Sequence, residues 1–67
     1  MQGINGAALR AAYDQGGVTL GDIVRVVGVR YLVKSNGYVH LSRLTPEGRG
    51  NVLSLEGIGN EPWSVTR

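Results

Sequence analysis

Sixty-seven residues with seven Lys or Arg, five Asp or Glu, one His and no Cys describe one small domain, 1–67, of formal charge +2. Without cysteine there are no disulfides or thiolate metal sites, and His40 alone cannot build a histidine-rich zinc site. A chain this short buries only about 60% of the surface it exposes when unfolded, so homo-oligomerisation or docking on a partner is expected to support it.

Residues 6–15 read as a helix. Asn5 suits the N-cap, where its side chain can accept from an unpaired amide. Ile4 and Leu9 have the spacing of a hydrophobic staple, and Ala7, Ala8, Ala11 and Ala12 are strong helix formers. Gly16-Gly17 ends the helix. From Val18 to Val27 two readings are open. Thr19 and Asp22 have capping-box-like spacing, with Leu20, Ile23, Val24 and Val27 at helical intervals. Against this, Ile23, Val24, Val26 and Val27 are β-branched, and Gly21-Asp22 reads as a turn feeding a strand, which is the preferred reading. Gly28 reads as a bulge or bend.

Asn36-Gly37 lies between two β-rich runs and predicts a hairpin with a two-residue type I′ turn. That turn would set Lys34 opposite Val39, Val33 opposite His40, Leu32 opposite Leu41 and Arg30 opposite Arg43. Thr45 to Gly50 reads as a loop, Asn51 to Glu56 as a strand, 57–62 as another loop, and Trp63-Ser64-Val65 as a last short strand. Eleven glycines and no Phe fit tight turns around a Val, Leu and Ile core. The expected fold is mainly β with one N-terminal helix: a small barrel or strongly bent antiparallel sheet over residues 22–66.

No catalytic centre emerges. His40 would be the only imidazole base, and Asp14, Asp22, Glu47, Glu56 and Glu61 show no spacing that pairs a general acid with a base. Gly48-Arg49-Gly50 lacks the strand-to-helix context of a phosphate loop. The expectation is a non-enzymatic module with no cofactor and no metal. Between Arg25 and Arg49, five cations (Arg25, Arg30, Lys34, Arg43 and Arg49) stand against the single acid Glu47, enough to attract phosphates or an acidic protein surface. In the expected register, Arg30, Leu32, Lys34, Val39, Leu41 and Arg43 form the outer face of the hairpin. Arg30 and Arg43 stand side by side there, where like charges cost stability unless an anion intervenes. If the faces are inverted, Tyr31, Tyr38 and His40 become a platform for stacking bases.

Gly21-Asp22-Ile23-Val24-Arg25 resembles the opening strand of SH3-like barrels, including KOW-type modules of ribosome and transcription-elongation proteins. Together with Leu44-Thr45-Pro46-Glu47-Gly48 it is similar to the plasmid-borne type II dihydrofolate reductases, which share that barrel. Their Val-Gln-Ile-Tyr run is absent, the tail reading Glu61-Pro62-Trp63-Ser64-Val65, and Val26 stands where their lysine would be. The resemblance implies an SH3-like scaffold without the reductase activity. A second resemblance, of Thr19 to Val29, is to the second helix and turn of helix-turn-helix regulators, and implies a winged helix with residues 30–36 as a short recognition helix.

The leading expectation is a module contacting nucleic acid or a nucleoprotein complex through its basic hairpin. The alternatives are a phage- or plasmid-type accessory protein acting on a host protein complex, and a winged-helix DNA-binding regulator. No apolar run approaches the ~18 residues of a membrane span. Met1-Gln2-Gly3-Ile4-Asn5 lacks the basic and apolar regions of a signal peptide, so a cytoplasmic protein with no membrane partner is expected.

Overall fold

A computed structural model describes residues 1–66, apart from the side chain of Arg49. The elements are β1 (Gln2–Ile4), α1 (Gly6–Asp14), β2 (Ile23–Val26), β3 (Val29–Ser35), β4 (Val39–Thr45), β5 (Gly48–Leu53), a 3-10 helix (Leu55–Ile58) and β6 (Pro62–Val65). All strand pairs are antiparallel, in the order β1-β6-β2-β3-β4-β5. The protein is therefore mainly antiparallel β with one short α-helix, as the turn-rich, aliphatic sequence predicts. Among the described residues β1 and β5 do not pair, so the sheet is open. Residues 29–35 are a strand, which removes the recognition helix that a winged-helix reading requires.

Helix α1 begins where its cap predicts. The Asn5 side chain accepts a hydrogen bond from the Ala8 amide at 2.8 Å. The expected staple does not form, because Ile4 belongs to β1, opposite Pro62, and is 64% exposed. Leu9 instead enters the core alone and is fully buried. The helix then lies against the 3-10 helix so closely that a Cβ on Gly6 would come within 2.5 Å of the Glu56 backbone. Arg10 Nε donates to Glu56 Oε1 at 2.6 Å across the same contact. That hydrogen bond holds the Arg10 guanidinium above its ordinary pKa. Half-exposed as it is, the pair contributes no more than about 1 kcal/mol.

The β-branched run after Asp22 is a strand, over Ile23–Val26. Thr19 and Asp22 make a local turn, in which the Asp22 carboxylate accepts from the Thr19 amide at 3.0 Å. Val27 and Gly28 then form a two-residue connection, with φ of 48° and 78°, between strands paired as Val26↔Val29 and Arg25↔Arg30. Positive φ at both central positions is what a type I′ hairpin demands. A β-branched valine adopts it only under strain.

The second hairpin is present, but its expected register is corrected. Observed pairs are Tyr31↔Arg43, Leu32↔Ser42, Val33↔Leu41, Lys34↔His40 and Ser35↔Val39, around a three-residue connection, 36–38. Gly37 has φ 109°, whereas Asn36 is not in the positive-φ region, so the type I′ geometry is not realised. The core decides between the registers. A one-residue slip exchanges the two faces of a strand, and the observed pairing buries Leu41 fully beside Val33. The expected pairing would have turned His40 inward and Leu41 out.

Two further expectations are corrected at the C-terminal end. Strand β5 starts at Gly48, immediately after a Pro46-Glu47 turn, and stops at Leu53; residues 45–50 are not one long loop. Leu55–Ile58 coils into the 3-10 helix, which delivers Leu55 and Ile58 to the core. Strand β6 alternates as predicted, with Trp63 and Val65 buried. The Trp63 indole N–H donates to the Asn5 carbonyl at 2.9 Å, and its ring lies over Gly3 of β1, a strand the sequence did not announce. One face of the sheet thus carries Val24, Val26, Val33, Leu41, Trp63 and Val65 into a single cluster closed by Leu9, Val18, Leu55 and Ile58. Among the described residues no helix is long and apolar enough to cross a membrane.

Candidate functional site

Strand alternation assigns the opposite, outer face of the sheet. With the core face known, register places the remaining side chains in cross-strand rows. One row is Gln2, Ser64, Arg25 and Arg30. The next is Ile23, Leu32, Ser42 and Val52. The third is Lys34 and His40. At the far end, Ile4 and Pro62 sit opposite each other near the Val27-Gly28 turn.

The like-charged cross-strand pair is Arg25 with Arg30, not Arg30 with Arg43. The Val27-Gly28 turn sets Arg25 and Arg30 directly opposite, both exposed. Among the described residues neither has a carboxylate within ion-pair distance; the one salt bridge found there joins Arg10 to Glu56. Glu56 is therefore engaged elsewhere and does not fold back over the arginines. A shallow depression lined by Ile23, Arg25, Arg30 and Thr66 opens beside them.

Lys34 shares this face, half-buried, two rows away. At about 3.3 Å per residue, it lies roughly 13 Å along β3 from Arg30. Arg43 does not belong to the group. It pairs with Tyr31, shares the parity of the core face, and lies exposed along Gly50, where the β4–β5 register shifts. The Arg49 side chain lies outside the described residues.

The aromatic platform expected for inverted faces is also divided. Tyr31 is half-buried against the core. His40 is on the outer face but only 5% exposed, with Nδ1 3.2 Å from the Tyr38 carbonyl oxygen. Tyr38 alone presents its ring to solvent at 59% exposure, its centroid 5.3 Å from that of His40 at an interplanar angle of 50°. Among the described residues no group of three or more His, Asp or Glu side chains is placed to hold a metal ion.

Sequence reasoning missed the partner of Arg30 and the exposed apolar corner formed by Ile4 and Val27. Both depend on recognising Val27-Gly28 as a turn. The signal was a lone glycine between two β-branched runs, weaker than the Asn-Gly that drew attention downstream. No protein-family model, curated protein or solved structure matches the chain.

Proposed function

We propose that this protein is a non-enzymatic binding module that holds nucleic acid on the outer face of its sheet, with Arg25, Arg30 and Lys34 on the phosphates. The observation carrying the proposal is the Arg25↔Arg30 pair, exposed and without a carboxylate partner among the described residues. Like charges directly opposite in a sheet are destabilising, and a phosphate gripped by both guanidiniums reverses the sign of that interaction. Among the described residues the rest of the face carries no acid: its rows hold Gln2, Ser64, Ser42, the buried His40 and apolar side chains.

Counterion release makes the test quantitative. One phosphate shared by Arg25 and Arg30 and a second on Lys34 give a slope in log affinity against log salt of about −1.8 on duplex DNA and about −1.4 on a single strand, a loss of roughly twelvefold and sevenfold between about 50 and 200 mM salt. Titration of labelled single-stranded and duplex DNA at both ionic strengths measures it. Replacing Arg25 and Arg30 together by Gln is expected to flatten the slope by about half. No binding to either DNA at the lower salt ends the proposal.

A protein partner is the second reading, favoured by the exposed Ile4 and Val27, at 64% and 68%. Val27 lines a depression with Arg25 and Gly28, Ile4 lines a second with Gly3, and Gln2, Pro62 and Trp63 border both. In that case Ile4→Ser abolishes capture of the partner and leaves DNA affinity untouched.

A further inference from the structure

We infer that the strand held on this face is unpaired, its bases lying on the apolar row and on Tyr38 while its phosphates meet the cations on either side. The inference rests on the nucleic-acid reading above and names the form of the ligand. Its basis is the order of the rows. Arg25 and Arg30 form one border, Lys34 the other, and between them run Ile23, Leu32 and Val52 with Ser42. Ile23 and Leu32 are half-buried and Val52 is 53% exposed.

A duplex shows phosphates and sugars to a sheet face and keeps its bases stacked inside. Laid here, it would dehydrate the middle row against polar atoms and gain nothing from it. An unpaired strand presents both kinds of surface. Its bases have π faces that rest on aliphatic and aromatic side chains regardless of sequence, and its backbone has the charge the borders require.

Tyr38 supplies the second part of the argument. It stands at the Lys34 end of the face, in the connection between β3 and β4, outside the core cluster. A tyrosine 59% exposed contributes little to folding, yet its ring is flanked by the buried imidazole of His40. An amphipathic ring so held loses little freedom when a base stacks upon it. Phosphate binding alone leaves that ring without a use.

The test compares a labelled oligo-dT strand of roughly 12 nucleotides with the same strand annealed to its complement, by fluorescence anisotropy at low salt. The single strand is expected to bind at least about tenfold more tightly than the duplex. Tyr38→Ala should weaken single-strand binding by roughly five- to 150-fold, the range found for loss of a stacked base. Tyr38→Phe, which keeps the ring, should restore it, and circular dichroism of the Ala variant should match that of the parent. A duplex bound as tightly as the single strand, or a Tyr38→Ala variant of undiminished affinity, overturns the inference while leaving phosphate binding in place. Absence of binding to both probes overturns the nucleic-acid reading itself.

Discussion

Reversing the charge at position 30 should make the protein more stable and a poorer ligand for nucleic acid at once. Arg25 and Arg30 are directly opposed and exposed; with Cβ atoms about 5 Å apart in such a pair, splaying of the long flexible stems sets a guanidinium separation on the order of 7 Å in a medium close to water. Coulomb's law at a dielectric constant of 80 then gives a repulsion of about 0.6 kcal/mol before screening. With a Debye length of about 8 Å at 0.15 M salt this falls to about 0.25 kcal/mol, and at 0.01 M it stays near 0.5. Arg30→Glu replaces repulsion by an attraction of similar size. The swing is about 0.5 kcal/mol at the higher salt and about 1 kcal/mol at the lower. For a domain of this size that is a rise in Tm of roughly 2–4 °C and 4–8 °C, respectively.

Thermal unfolding followed by circular dichroism at the two salt concentrations reads both values. Arg30→Gln, which removes the charge without reversing it, should give about half of each gain and separates electrostatics from strand propensity. A Tm that falls, or rises equally at both salts, refutes the reasoning, because only opposed charges produce a gain that salt erases. A residue that lowers stability and yet supports binding is under a constraint other than folding, so the same variants should lose affinity in the DNA titration as their Tm climbs.

Leu41→Ala should cost about 2–5 kcal/mol, as for any fully buried leucine. Against a total stability of about 3–10 kcal/mol for a chain this long, urea titration should find the midpoint lowered by roughly half. Had Leu41 faced solvent, as the two-residue turn would have placed it, the cost would be below about 1 kcal/mol. Val27→Asn should stabilise the protein by about 1 kcal/mol, since asparagine tolerates the positive φ that strains a β-branched residue. An unchanged or lower urea midpoint would show that the turn holds Val27 without strain.

The fold class, the helix and its cap, the strand character of residues 23–26 and the alternation of Trp63 and Val65 were all legible in the sequence. Each depends on local chemistry: asparagine's hydrogen bond to a free amide, the stiffness of β-branched side chains, the period of an extended chain. The concentration of cations between Arg25 and Lys34 was legible for the same reason, since charge is read residue by residue. Which cation faces which was not. That depends on register, and register was settled by whether Leu41 or His40 entered a core completed by Leu9, Leu55 and Ile58 from distant parts of the chain. Asn36-Gly37 has a local preference for a tight turn worth little beside the burial of a whole leucine, about 1.5–3 kcal/mol. The tertiary structure therefore moved Arg43 away from Arg30 and brought Arg25 to it. It also left Tyr38 in solvent, while Tyr31 kept the core side expected of it, because a slip of one residue re-aims every side chain on the strand that slips and no local signal measures that cost.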